Sequence, residues 1–225
     1  MKAIVLFSGG QDSTTCLFWA KQKFDEVIAV GFNYGQKHSV EIEQARKIAK
    51  IAEVEYVLLD VKGLLGGSSL TDCSQDSNDR HKNNPDLPAS FVAGRNALFL
   101  TAVGSYGYGR NIVNIVTGVC ETDFSGYPDC RREFVDAQEK ALSLALDTEV
   151  IIHTPLMELT KAQAWKLARE LSDEEQDVFE IVRTMSLTDY NGSTEMNEWG
   201  MGKLDNPASE LRAKGYFEAK EKGWI

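Results

Sequence analysis

A chain of 225 residues, 43% hydrophobic and 26% charged, is long enough for one domain with a full core. Its formal net charge of −10 argues against nucleic acid as a partner, because affinity for a polyphosphate comes mainly from cationic groups that displace counterions. No apolar run approaches the length needed to cross a bilayer, and Met1 leads into a strand without a basic leader, so a cytoplasmic enzyme is expected.

The first expected strand, Lys2 to Phe7, feeds Ser8-Gly9-Gly10-Gln11-Asp12-Ser13 and then a helix from Thr14. Two adjacent glycines let backbone N–H groups approach an anion, hydroxyls add donors, and the helix offers its unpaired N-terminal N–H groups. The plain alternative is a tight strand-to-helix turn capped by Asp12 and Ser13. Further strands are expected near Glu26 to Phe32, Glu55 to Val61, Ile112 to Thr117 and Glu149 to His153. Between them Val40 to Ile51, Arg95 to Tyr106 and Glu133 to Leu146 carry helical periodicity. The alternation predicts an α/β fold, an open parallel five-stranded sheet with helices on both faces. Residues 1–172 would form the core and 173–225 a short helical extension of one domain.

Ligands of such sheets sit beyond the carboxyl ends of the strands, which gathers Ser8 to Ser13, Asn33 to Lys37, Gly118 to Asp123 and the segment after His153 around one crevice. Gly63 to Ala93 has no periodicity and reads as either an active-site lid or a surface insertion. The cysteines, Cys16, Cys73, Cys120 and Cys130, form no CxxC pair, and Cys16 reads as a small core residue.

The loop Ser8 to Ser13 lacks the lysine of a Walker A motif and instead resembles the pyrophosphatase loop of enzymes that split ATP between its α and β phosphates. With it run Asn33-Tyr34-Gly35-Gln36-Lys37-His38, Val92-Ala93-Gly94-Arg95-Asn96, the block Thr117 to Arg131, and Thr154-Pro155-Leu156-Met157-Glu158-Leu159-Thr160-Lys161. Together these resemble the QueC family, 7-cyano-7-deazaguanine synthases of queuosine biosynthesis, over about residues 1–192. The resemblance implies an adenine nucleotide α-hydrolase-like fold and a carbon–nitrogen ligase. Its implied substrates are ATP with Mg²⁺, 7-carboxy-7-deazaguanine and ammonia. The acid would pass through an acyl-adenylate to an amide, and a second ATP would dehydrate the amide to a nitrile.

On that reading Phe7, Ser8, Gly9, Gly10, Gln11, Asp12, Ser13 and Thr14 bind ATP, and Asp12 holds magnesium between the phosphates. Lys161 and Arg95 face the α-phosphate and the leaving pyrophosphate, and Arg95 can also clamp the substrate carboxylate. Asn96, Glu121, Asp123, Phe124, Tyr127, Asp129 and Arg131 are assigned to the deazaguanine, by carboxylate acceptance from its N–H edge and by aromatic stacking. One carboxylate, with Asp129 the candidate, can alternatively take a proton from the nitrogen nucleophile, and loop capping is the bland role for each. Cys130 is open to a covalent thioester or thioimidate role or to simple packing.

The C-terminal segment departs from the family, which carries one cysteine before Tyr-Asn-Gly and three in a Gly-Cys-Gly-x-Cys-x-x-Cys-x-Leu-Arg run that together bind zinc. Here Asp189 precedes Tyr190-Asn191-Gly192, and Met201 and Ser209 stand at the ends of the run, so no zinc is expected. Trp199, Leu204, Leu211, Tyr216, Phe217 and Trp224 are candidates for a hydrophobic substitute, with a homodimer interface as one form of it. The departure leaves two alternatives beside nitrile synthesis. One is a ligase that stops at the amide or joins the acid to another amine, such as a protein N-terminus. The other is a catalytically silent nucleotide or deazaguanine sensor. A tRNA-thiolating ligase fits less well, since it calls for a reactive cysteine pair and a basic face.

Overall fold

The computed structural model describes residues 1–36, 40–71, 79–122 and 127–225. A parallel sheet is built from β1 (Lys2–Leu6), β2 (Glu26–Asn33), β3 (Glu55–Asp60), β6 (Asn114–Val116) and β7 (Ile151–His153), in the order β3-β2-β1-β6-β7. Every pairing within it is parallel, as expected for strands joined by helical crossovers. Side chains of β1 alternate between two cores, as the period of two dictates. Ala3, Val5 and Phe7 enter one cluster and Ile4 the other.

The first cluster is closed by α1 (Gln11–Lys23), α2 (Val40–Ile51), α5 (Lys161–Glu170), α6 (Val178–Met185) and α7 (Pro207–Glu221). The second is closed by α3 (Arg95–Tyr108) and α4 (Arg132–Leu146). Of the face expected on α2 and just past its end, Ile42, Ala45, Ile48, Ala49 and Ala52, all but the half-buried Ile42 are buried.

Two stretches carry more strand than the sequence suggested. Within the aperiodic segment lies an antiparallel hairpin, β4 (Arg80–His81) and β5 (Asn84–Pro88), anchored where Ser69 N–H and Ser68 Oγ both donate to the Ala89 carbonyl. Strands of two and five residues, the longer with prolines at its second and last positions, leave no alternation to read. The C-terminal extension likewise holds a small hairpin, β8 (Met196–Asn197) and β9 (Gly200–Met201), between α6 and α7. Of the proposed hydrophobic substitutes, Trp199 and Tyr216 are buried and Trp224 packs beside them, whereas Leu204 and Phe217 are exposed. Tyr216 meets Trp165 edge-on at 5.5 Å, so the extension is sealed onto α5 by aromatic packing.

Candidate active site

The candidate phosphate cradle begins where β1 ends. Gly9 turns the chain with φ of +82°, and a Cβ there would lie 2.9 Å from the backbone nitrogen of Ala45, so both conformation and packing demand glycine. Ser8 and Ser13 close the loop with their hydroxyls 3.1 Å apart. Gly10, the N-cap of α1, carries no capping side chain. The Gln11 N–H instead donates to Thr188 Oγ1 at 3.2 Å, and the Leu187 N–H donates to the Gly9 carbonyl at 3.0 Å. The C-terminal extension thus buttresses the cradle.

Lys161 opens α5, whose start is fixed by a capping box between Thr160 and Gln163. Its Nζ donates to both carboxylate oxygens of Asp12 at 2.9 and 2.8 Å, with side-chain exposures of 10% and 30%. These two residues, 149 positions apart, hold the predicted cation and the predicted magnesium ligand at one spot. Behind them Arg212 is wholly buried and donates to four carbonyls, of Val182, Arg183, Ser186 and Trp199, and to Thr188 Oγ1. Burial pulls its pKa down to about 9, against the attraction of Asp12.

A cavity of about 340 Å³ runs from this cradle to a second wall built by Tyr34, Arg95, Asn96, Phe99, Tyr127 and Tyr190. Tyr127 Oη lies 2.6 Å from Ser90 Oγ and 3.2 Å from Tyr190 Oη. Burial works against the charge of Arg95, but the oxygens of Tyr34, Tyr127, Tyr190 and Asp129 outweigh it and hold the guanidinium above its ordinary range. Burial raises Tyr190 and Tyr34, which therefore stay protonated and able to donate. Glu41, in the first turn of α2, lines the same cavity. Burial pushes its carboxyl up to about 7, against the pull of Arg95 and with help from Asp189.

Most of the predicted ATP-binding residues line the cavity: Phe7, Ser8, Gly10, Gln11, Asp12 and Ser13. Gly9 instead packs on Ala45, and Thr14 is buried in the interior. On the opposite wall Arg95, Asn96 and Tyr127 do face the cavity. Glu121, Asp129 and Arg131 do not line it. Asp129 Oδ2 accepts the Asn96 N–H at 3.0 Å and its carbonyl accepts from Asn96 Nδ2 at 3.0 Å, so it fixes the start of α3. Glu121 Oε2 accepts the Arg132 N–H at the start of α4, where Arg131 is the exposed N-cap. Carboxylates near helix starts satisfy orphan N–H groups, which explains their place in this loop. Asp123 and Phe124 lie outside the described residues.

Cys130 lines the cavity, but burial and Asp129 push its thiol up to about 12, against Arg95 and the Asn96 hydrogen bond. That environment disfavours the thiolate a covalent role would require. Sequence reasoning did not single out Glu41, Tyr190 or Arg212. Glu41 reads as an ordinary acidic residue of a first helical turn, and the other two reach the site only through the folding of the extension.

The positions where the family carries its zinc cysteines converge on Asp189, which is fully buried. Its Oδ1 accepts from Asn191 N–H at 2.8 Å and Ser193 N–H at 3.2 Å. Its Oδ2 accepts from Lys203 N–H at 2.8 Å, Asn206 Nδ2 at 3.0 Å and Ser209 Oγ at 3.0 Å. Burial alone would raise this carboxyl, but the hydrogen bonds overcome it and hold it below the usual range. A carboxylate saturated by five donors, with Met201 and Ser209 beside it in sequence register, does not fit a tetrahedral zinc centre, which takes thiolate or imidazole ligands.

The family model described as queuosine biosynthesis protein QueC matches residues 2–220. A 7-cyano-7-deazaguanine synthase of Parabacteroides distasonis is 50% identical over 225 residues, covering 97% of this chain and 96% of the relative. The same-named protein of Clostridium novyi is 46% identical over 222 residues, covering 98% and 96%. Among solved structures, the U34-tRNA thiolase NcsA from Methanococcus maripaludis covers 98% of this chain and 73% of its own at a TM-score of 0.50 and 14% identity, a likeness of fold. A family match over nearly the full length and end-to-end relatives at this level of identity establish that the chain belongs to the QueC family.

Proposed function

We propose that this chain uses ATP to activate the carboxylate of 7-carboxy-7-deazaguanine and, with ammonia and a second ATP, carries it through the amide to 7-cyano-7-deazaguanine. The observation that carries the reading is the continuity of one cavity. A phosphate cradle with Lys161 and Asp12 forms one end, and a half-buried arginine among tyrosines forms the other. The names of the relatives supply the substrate class.

A carboxylate is a poor electrophile until one oxygen becomes a leaving group, and AMP transfer accomplishes that. The cradle residues Ser8, Gly10 and Ser13 suit the phosphates. Asp12, one partly exposed carboxylate at the cradle, suits magnesium, which takes one or two carboxylates together with phosphate oxygens. When bound, the ion would neutralise phosphate charge. Lys161 is held by Asp12 where negative charge builds on the α-phosphate, and preorganised cations of this kind are worth about 10²–10³ in rate. Arg95, with donor hydroxyls of Tyr34, Tyr127 and Tyr190 around it, suits the acid group of the substrate. Phe99 offers a flat apolar face for the ring.

The test is to incubate the protein with Mg²⁺, ATP, 7-carboxy-7-deazaguanine and ammonium and to identify products by mass spectrometry. Nitrile with two AMP released per product is expected. Nitrile absent while AMP forms would overturn the nitrile reading in favour of amide formation. No AMP at all would overturn ATP activation and leave a binding protein.

A further inference from the structure

Ammonia reaches an enzyme at neutral pH almost entirely as ammonium, which has no lone pair to attack with. Some group must take a proton before the carbon–nitrogen bond can form. Among the described residues that line the cavity the carboxylates are Asp12 and Glu41, and no histidine lines it. Asp12 is committed to Lys161 through both oxygens. The nearby carboxylates outside the cavity are also occupied: Asp129 by Asn96, Glu121 by Arg132, and Asp189 by five donors. Glu41 lines the same cavity as Arg95, and its carboxylate accepts no hydrogen bond from a described residue.

We propose that Glu41 is the general base that accepts a proton from ammonium beside the acyl carbon activated next to Arg95. The inference rests on the ATP-activation reading above. Ammonium transfers one proton to a Glu41 carboxylate oxygen and becomes ammonia. Ammonia attacks the acyl carbon of the adenylate, the C–N bond forms, the C–O bond to AMP breaks, and AMP leaves with the electron pair of that bond. The addition product loses its extra proton to the departing phosphate, and Glu41 returns its own proton to water. Around Glu41 stand Arg95 at the start of α3, Tyr34 after β2, and Asp189 after α6. A base poised close to the working pH transfers protons most efficiently, and the half-ionised state of this carboxyl near pH 7 meets that condition.

The experiment compares ammonium with hydroxylamine, a nucleophile that is unprotonated at neutral pH and so needs no such base. AMP release from ATP and 7-carboxy-7-deazaguanine is measured with each in the wild type, Glu41→Gln and Glu41→Asp. In E41Q the ratio of ammonium- to hydroxylamine-supported rates is expected to fall by about 10²-fold or more, the usual worth of a positioned base. E41D should recover part of the ratio. At fixed total ammonium the wild-type rate should rise to about pH 7 and then level off, whereas E41Q, left to draw on free ammonia, should keep rising across the same range with no bend near pH 7. An unchanged ratio in E41Q, including equal loss with both nucleophiles, overturns the proposal. Substrate-dependent exchange of pyrophosphate into ATP, which needs no nitrogen source, separates the two levels. If the wild type lacks it, the activation reading itself is wrong; if exchange persists while the ratio is unmoved, only the role of Glu41 fails.

Discussion

Replacing Asp189 by asparagine keeps the shape of the side chain and removes one acceptor and the charge. The native carboxylate takes two backbone N–H groups on Oδ1, and one backbone N–H, an amide and a hydroxyl on Oδ2. Asparagine has one carbonyl oxygen, so whichever way the amide turns, its NH₂ faces at least two donors in a fully buried site. Hydrogen bonds to a charged acceptor are each worth about 1.5–3 kcal/mol, and two of them give about 3–6 kcal/mol. Relaxation of Ser209, whose hydroxyl can rotate to accept from the new NH₂, trims this to about 3–5 kcal/mol, the usual cost of breaking a buried charged network. For a domain of this size that corresponds to a drop in Tm of about 6–20 °C. Urea unfolding of D189N against the wild type measures it. A loss under about 1 kcal/mol would show that the five short contacts do not hold the extension, and the reasoning from hydrogen-bond saturation would be refuted. The depressed carboxyl adds a sign: its contribution is full above the ordinary aspartate range and is lost as pH falls through the folded-state value. The D189N penalty should therefore shrink in acid.

Dialysis against a strong chelator should leave the wild-type Tm within about 1 °C, since the convergence at Asp189 is closed by protein donors; a substantial fall would reveal a structural metal. Lys161→Met should lower the rate of AMP release by about 10²–10³-fold while leaving the fold intact by circular dichroism, and a loss under tenfold would remove Lys161 from the phosphate chemistry. Gly9→Ala, which forces a side chain onto the Ala45 backbone at positive φ, should cost at least about 1–3 kcal/mol and weaken ATP binding, both read by thermal shift with and without nucleotide. Thr188→Val removes the acceptor for the Gln11 N–H and for Arg212 Nη1 and should raise the KM for ATP several-fold while costing about 1–3 kcal/mol of stability; an unchanged KM would show that the cradle does not depend on that hydroxyl.

The sheet was legible because its five strands are apolar runs punctuated by turn residues, and the observed strands fall within about two residues of those expected. Helix α2 matched at both ends, since the spacing of Ala45, Ile48, Ala49 and Ala52 admits one period. The two hairpins were invisible, because three of their four strands are two residues long and their few backbone bonds leave no alternation to read. That Ser8, Gly10 to Ser13 and Lys161 would gather at one crevice could be read from motif and strand-end geometry, and they line one cavity. The carboxylates after Gly118 could not be sorted: a helix-start acceptor and a ligand-facing acid look alike in sequence, and only the positions of Asn96 and Arg132 distinguish them.

The extension is more than a cover. Thr188 Oγ1 accepts from both the Gln11 N–H of the cradle and Nη1 of Arg212, and the next residue is the saturated Asp189. Arg212 is a buried cation whose hydrogen-bond partners are neutral, an arrangement that costs free energy wherever no anion is near. The negative charge that favours it is Asp12, already shared with Lys161. An ATP phosphate arriving in the cradle would bring negative charge toward Arg212, so nucleotide binding should be more favourable with the extension docked than without it. By linkage, nucleotide must then stabilise the docked extension to the same degree. The carboxylate of Asp189 ties this segment to the start of α7 through Asn206 and Ser209, so D189N should weaken that mutual stabilisation, read as a smaller rise in Tm on adding ATP than in the wild type.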